Sequence, residues 1–343
     1  MTGYELFIIG YKDINSKEIF YMKTKIAAGI FIFILIIFII AGCTDGKVKE
    51  EKIQIRIAEQ FGLAYAPVQI MKEKKLIERY LPEIEITWRQ LGNTAAIREA
   101  MLADELDIGF MAIPPFLIGW DKGMEWKIAT GLSTSPVGLV VNKDNIKSIE
   151  DFTSEDRIAL PQPGSVQHIL LSLASEKFWG DPKRLDNLLV TLDHPNGMNA
   201  LLARREVSAH FTTPPYLFKE LESPGMHQIL DGKEAMGEEF TFIVGVATSA
   251  FYEDQPKVYG AFLKALEEAI IFMEDNPKET IEILAKAYQI DQKELNKYLD
   301  HPDMTYSFEV KGLMKFADFL QKNDYIKRKP ANLEEVIWAR NDK

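Results

Sequence analysis

From residue 53 onward the apolar residues alternate between a period of two and a period near 3.6, and that restricts the chain to an α/β architecture. Ile53-Gln54-Ile55-Arg56-Ile57 places an apolar residue at every second position, as a half-buried strand does. Pro67 to Tyr80 has helical spacing, with Val68, Ile70, Met71 and Leu76 on or near one face, and Pro82 ends it. Ile84 to Trp88 predicts a second strand, Thr94 to Leu102 a helix, and Leu106 to Met111 a third strand. Strand and helix in repeated turn predict mainly parallel sheets.

The pattern echoes itself. Leu102-Ala103, Leu106 to Phe110 and Pro114-Pro115-Phe116 form one segment; Leu202-Ala203, Val207 to Phe211 and Pro214-Pro215-Tyr216 form the other. Both read as helix, turn, short strand, then a Pro-Pro loop. Two lobes of similar topology follow, each with such a loop beyond the carboxyl end of a strand, the edge where open α/β sheets bind ligands. Gly131 to Val141 and Phe240 to Val246 are extended runs with glycine, suited to crossing between lobes. Beyond them Val258, Phe262, Leu266, Ile270 and Met273 form one helical stripe. Asn276-Pro277-Lys278-Glu279 predicts an N-cap, a proline at N1 and an acidic N3 residue, and these helices are expected to pad the first lobe.

Upstream, Met22-Lys23-Thr24-Lys25 is cationic, Ile26 to Gly42 carries no charge, and Cys43, the single cysteine, follows Ala41-Gly42. Charge, apolar run and small residues in that order are a secretory signal. With the cysteine it resembles the lipobox of bacterial lipoproteins, which implies a lipid on Cys43 and removal of residues 1–42. The competing reading is an uncleaved anchor, for which the run is near the lower length limit. Either places the body outside the cytoplasm on a membrane face. Translation is expected to start at Met22, because Met1 to Tyr21 has no usable period. Residues 43–52 read as a flexible tether.

The chain has a net charge of −11, and the segment through Gly42 is slightly basic, so the remainder is near −12. That balance excludes nucleic acid and a polybasic lipid patch as partners. With Cys43 acylated no disulfide is possible, and the fold rests on its core. No His-Glu-x-x-His, Cys-x-x-Cys, Gly-x-x-x-x-Gly-Lys or Gly-x-Ser-x-Gly occurs, and the histidines never pair at metal-ligand spacing. No catalytic residue, metal or cofactor is expected. His168 opens a helix and could face a ligand; His210 lies within a strand, where packing is the simpler role.

The informative residues lie in five strand-to-helix loops, 60–67, 92–96, 112–115, 162–167 and 212–215, rich in small and polar residues and free of Lys and Arg. Helix N-termini there offer free N–H groups and a positive dipole end, and can bind an anion without a basic side chain. Asn93, Ser165 and Thr213 equally fit the plain role of capping their own helices. Phe61, Tyr65, Phe116, Trp120 and Trp126 leave a planar or partly apolar ligand open, although the two tryptophans suit the core better.

Gln60-Phe61-Gly62-Leu63, Leu91 to Ile97, Leu106 to Gly109, Val137 to Val141, Ile149 to Phe152 and Ile158 to Pro161, in this order after a lipobox, resemble the substrate-binding proteins of ABC importers in the nitrate, sulfonate and taurine group. Thiamine-precursor binding proteins are similar. The resemblance implies a type II periplasmic-binding-protein fold: two α/β lobes, 53–136 with 241–343 and 137–240, joined by two crossover strands over a ligand cleft. It implies ligand contacts at Gln60, Phe61 and Tyr65, at Asn93 and Thr94, at Ile113 and Pro114, at Gly164, Ser165, Val166 and Gln167, and at Thr212, Thr213 and Pro214. Family members often carry an acidic or aromatic residue before that last proline. Thr212-Thr213 departs from this and leaves an aromatic or heterocyclic solute open beside a small sulfonate-like anion. The implied protein is a monomeric, lipid-anchored receptor that delivers its solute to an ABC permease driven by a separate ATPase. The rivals are a thiamine-pyrimidine synthase-like enzyme on the same fold, against which the export signal counts, and an extracellular sensor or adhesion module.

Overall fold

The structure of the protein, a computed structural model, describes residues 53–338. Cys43, the apolar run before it and the tether lie outside the described residues. The chain begins with β1 (Gln54–Glu59), α1 (Ala66–Glu73), α2 (Leu76–Tyr80), β2 (Glu85–Gln90), α3 (Thr94–Leu102), β3 (Ile108–Ala112), α4 (Ile113–Asp121) and β4 (Trp126–Thr134). It crosses over to β5 (Gly138–Val141), β6 (Ile158–Leu160), α5 (Val166–Trp179), β7 (Leu189–Thr191), α6 (His194–Leu202), β8 (Ala209–Thr212), α7 (Tyr216–Leu221), β9 (His227–Asp231) and α8 (Gly232–Met236). It returns through β10 (Ile243–Thr248), α9 (Ser249–Asp254), α10 (Pro256–Asp275), α11 (Pro277–Tyr288), α12 (Gln292–Leu299), β11 (Thr305–Tyr306) and α13 (Leu313–Lys322).

Two sheets result. The first has the order β11-β4-β10-β3-β1-β2, the second β7-β6-β8-β5-β9. In each, one strand lies between two parallel neighbours, and one strand that enters from the other lobe runs antiparallel: β1 between β2 and β3 with β10 beside β3, and β6 between β7 and β8 with β5 beside β8. The repeated Pro-Pro segments therefore occupy equivalent places, after β3 and after β8. They differ locally: Pro114 and Pro115 sit in the first turn of α4, whereas Pro214-Pro215 has a cis bond and precedes α7.

Burial explains the strands. β3 is an interior strand of its sheet, and all five of its residues are buried. The edge strand β2 alternates between exposed and half-buried positions. Trp126 and Phe116 pack in the core with ring centroids 5.7 Å apart, and Trp120 is also buried. Val258, Phe262, Leu266 and Ile270 are buried along one side of α10, which packs on α1 and α2 of the first lobe.

Two helical expectations need correction. Pro67 to Tyr80 is not one helix: Lys75 adopts φ 52°, a left-handed conformation, and separates α1 from α2. Asn276 does not cap α11; its side chain instead donates to the Phe272 carbonyl at the end of α10. The helix starts at Pro277 as expected, since a proline at N1 lacks only an N–H that the first turn leaves unpaired.

Candidate functional site

The loops that leave the carboxyl ends of β1, β2, β3, β6 and β7 meet between the two sheets around a small cavity of about 30 Å³. That is room for one or two waters. The first lobe contributes Gln60, Phe61 and Tyr65, then Gly92 and Thr94, then Ala112 and Pro115; the second contributes Pro161, Gln162, Ser165, Val166, Gln167 and His194. Phe242 and Ile243 of the returning crossover close one side. No lysine or arginine is among these lining residues.

The lobes touch directly across this cleft. Leu63 N donates to the Pro214 carbonyl at 3.0 Å. Ala95 N, in the first turn of α3, donates to the Gln162 side-chain carbonyl at 2.9 Å. That amide is one of the free N-terminal donors of a helix, and a polar group from the opposite lobe satisfies it. Gly62 has φ +129°, a conformation that disfavours any side chain, and a Cβ there would lie 3.1 Å from the Pro214 carbonyl oxygen and 3.7 Å from Thr213 Oγ1. Close approach of the lobes thus needs glycine at 62.

Of the expected contacts, Gln60, Phe61, Tyr65, Thr94, Ser165, Val166 and Gln167 line the cavity. Gln60 is held by Thr94 Oγ1 and the Phe110 carbonyl, each at 3.2 Å. Asn93, Ile113, Pro114, Gly164, Thr212, Thr213 and Pro214 do not line it. Asn93 caps α3, accepting from Ala96 N at 3.0 Å. Ile113 and Pro114 are buried in the first turn of α4, whose neighbours Ala112 and Pro115 reach the cavity instead. Gly164, at φ +80°, donates its N–H to His168 Nδ1 at 2.9 Å, so His168 props this loop from behind, with Asp186 at 3.0 Å on its other nitrogen. Ser165 does both jobs: it caps α5 through His168 N and lines the cavity. Thr212 Oγ1 contacts His194 Nδ1 at 3.0 Å. The Pro214 carbonyl forms the inter-lobe contact just described, and Thr213 is buried beside it.

Sequence reasoning missed the loop after β7, which carries His194. The signal was there: Asp193 before His194-Pro195 is an N-cap with proline in the first turn, and Asp193 does accept from Asn196 N at 3.0 Å. Gln162 lay within a recognised loop without being singled out. Among the described residues no group of three or more His, Cys, Asp or Glu is placed to hold a metal ion, and no helix is long and apolar enough to cross a membrane.

A family model described as the NMT1-like family matches residues 48–289. The chain belongs to the NMT1-like family. This NMT1-like chain is 23% identical over 277 residues to an Escherichia coli (strain K12) protein named as an aliphatic sulfonates-binding protein, covering 78% of the chain and 84% of that relative. Among solved structures it resembles the alkanesulfonate-binding protein SsuA from Xanthomonas axonopodis pv. citri bound to MOPS, with a TM-score of 0.70, 20% identity, and coverage of 83% and 98%. It also resembles the Candida albicans CA3427 gene product, which has the generic periplasmic binding protein fold, with a TM-score of 0.67, 12% identity, and coverage of 83% and 96%. The fold is the expected type II periplasmic-binding-protein fold, two α/β lobes joined by two crossover strands.

Proposed function

We propose that this NMT1-like protein is an extracytoplasmic receptor that captures a small organic anion of the sulfonate class by closing two lobes over it, and hands it to an ABC permease served by a separate ATPase. In this reading the lobes are 53–136 with 241–343, and 137–240, and Cys43 carries the lipid that tethers the body to the membrane. The observation that carries the reading is the convergence of strand-end loops from both sheets on one cleft, with helix N-termini among them. A relative and a solved structural neighbour named for sulfonate binding agree with it. The contacts seen across the cleft belong to a shut arrangement, and 30 Å³ cannot admit an organic anion, so the lobes must part to load. A solute favours closure only by its differential affinity for the two arrangements. Ser165, Thr94, Gln167 and the first-turn N–H groups of α3 and α5 supply donors; Gln162 must release Ala95 N for α3 to serve. A hydrogen bond to a charged group contributes about 1.5 to 3 kcal/mol. A few of these reach the ~8 kcal/mol of micromolar affinity.

The aromatic or heterocyclic alternative rests on Phe61, Tyr65 and Phe242 in a lining without basic residues. A solute with an anionic head and a ring would use both halves.

Thermal shift of ligand-free protein with alkanesulfonates, nitrate, pyrimidines and aromatic acids tests the reading. A true solute at a hundred times its Kd stabilises by about 2.7 kcal/mol. Stabilisation by alkanesulfonates is expected; stabilisation by pyrimidines alone selects the alternative, and none by any compound refutes both. Thr213→Trp is expected to wedge the lobes and weaken binding at least tenfold, and because Thr213 is buried its urea stability is expected to fall by about 1 to 3 kcal/mol. Unchanged affinity would show that Thr213 plays no part in closure.

A further inference from the structure

Behind the cleft, the second lobe holds a chain of buried polar groups that solute contact alone does not explain. His210 on β8 and Glu220 on α7 are fully buried, with Nδ1 and Oε1 2.6 Å apart, and the other Glu220 oxygen has no hydrogen-bond partner. His210 Nε2 lies 3.4 Å from His194 Nδ1. His194 lines the cavity, and its Nε2 is 3.4 Å from Gln167 Nε2.

A neutral imidazole has one N–H and one lone pair, so each ring passes on a single instruction. If Glu220 is a carboxylic acid, it donates to His210 Nδ1. His210 then carries its proton on Nε2 and donates to His194 Nδ1, to which the Thr212 hydroxyl at 3.0 Å also donates, and His194 turns an Nε2–H toward the cleft. If Glu220 is ionised, both rings reverse and His194 turns a lone pair outward. Burial decides between them. An ion pair this deep loses solvation that its single contact does not restore, with one carboxyl oxygen unpartnered. Burial accordingly pushes Glu220 up to about 9, holds His210 down at about 3, and lowers His194 well below its ordinary value. All three groups are neutral near pH 7, in the arrangement that makes His194 a donor.

We propose that His194 is a specificity-determining residue of the cleft, a fixed N–H donor to an anionic oxygen of the solute, positioned by His210 and Glu220 through its tautomer. The inference rests on reading the cleft as the solute site. His194 Nε2–H and the Gln167 amide are two donors 3.4 Å apart, and one anionic oxygen can accept from both. An anion is then held without lysine or arginine. The other titratable groups around His194 are Asp193, whose carboxylate is engaged with Asn196 N; Tyr216, whose ring stacks on it at 5.8 Å; and Tyr65, across the cavity.

Two measurements on the purified full chain test this. The first needs no solute: nitrogen-15 NMR of the histidine rings at pH 7 is expected to show the Nε2–H tautomer at His194 and His210. An Nδ1–H tautomer or an imidazolium at His194 overturns the proposal. The second is calorimetric titration with butanesulfonate from pH 6 to 9.5, with circular dichroism confirming folded protein at each pH. His194→Phe is expected to lose at least tenfold in affinity at pH 7. Wild-type affinity is expected to drop several-fold above pH 8.5, as Glu220 ionises and reverses both rings, and Glu220→Gln, which cannot ionise, is expected to show no such drop. Unchanged affinity in His194→Phe, or an alkaline drop that persists in Glu220→Gln, overturns the proposal. If the wild type binds no sulfonate, the sulfonate reading fails, and the tautomer measurement still decides whether His194 is a positioned donor.

Discussion

Between pH 6.5 and 9 the protein is expected to lose several kcal/mol of folding stability, and the double variant Glu59→Gln with Glu220→Gln is expected to abolish most of that loss. Glu59 ends β1 and is buried; one carboxyl oxygen accepts from Gln69 and the other has no partner. Burial, offset in part by Lys72 and the Gln69 bond, pushes its carboxyl up to about 8. Burial pushes Glu220 to about 9. In the unfolded chain both titrate near the ordinary glutamate value of about 4.3. A raised folded value means that the folded state keeps a proton the unfolded state has released. That contribution is complete below the ordinary carboxyl range and is lost as pH climbs through 8 and 9.

His194 and His210 act in the opposite sense. Burial keeps them neutral where unfolded histidine, with its value near 6.5, takes up a proton. Their contribution is present above about 6.5 and is lost as pH falls toward 3. Between the carboxyl range and pH 6.5 the two pairs offset. Above it only the carboxyls change, with a slope of about 2.7 kcal/mol per pH unit while both hold protons. The loss from pH 6.5 to 9 is then on the order of 5 kcal/mol. Urea midpoints of wild type and double variant across that span measure it. A wild-type curve that is level or rising would show that these carboxyls are not buried as neutral acids.

Much of this arrangement was legible because it depends on local period. Ile55 and Ile57 point into the core from β1, and Asn93 announces α3 at Thr94, so pattern and burial agree. What local pattern does not encode is where a helix yields to its neighbours. Nothing in Lys74-Lys75 marks a left-handed break, yet the chain turns there and α1 and α2 each pack against α10. The cleft shows the same division. Loops after β1, β2 and β6 gave true lining residues, because small polar residues at a helix start carry their own signature. Thr213 and Pro214 also sit at a strand end, but their neighbours are Gly62 and Leu63 of the other lobe, and only three-dimensional closure makes them inter-lobe contacts. His194 was overlooked because histidine within a short Asp-His-Pro segment reads as a cap. Its distinguishing partners, His210 and Glu220, lie 16 and 26 residues away in sequence.

Gly131→Ala is expected to destabilise the protein by about 1 to 3 kcal/mol, the range for inserting a methyl group where packing leaves no room. A Cβ at this position on β4 would lie 2.2 Å from the carbonyl oxygen of Glu309. That carbonyl belongs to backbone, which cannot swing aside as a side-chain end can. It is also held from two sides: Gly131 N donates to the adjacent Phe308 carbonyl at 3.0 Å, and Thr241 Oγ1 donates to the Glu309 carbonyl at 2.9 Å. Thr241 lies on the returning crossover, where its N–H also donates to the Lys311 carbonyl at 3.2 Å and its hydroxyl accepts from Lys311 N at 2.8 Å. The 308–311 segment therefore ties the crossover to the first sheet, and the added methyl pushes on that tie. Solute affinity is expected to fall along with stability, because the crossover sets the path along which the lobes meet. Gly260→Ala provides the control. It lies inside α10, where a Cβ meets nothing within 4 Å, and it is expected to stabilise by about 0.5 to 1 kcal/mol through lost backbone freedom in the unfolded chain. Urea unfolding of both variants beside wild type separates the two effects. If Gly131→Ala unfolds within about 0.5 kcal/mol of wild type, the Glu309 segment yields freely and does not brace the hinge.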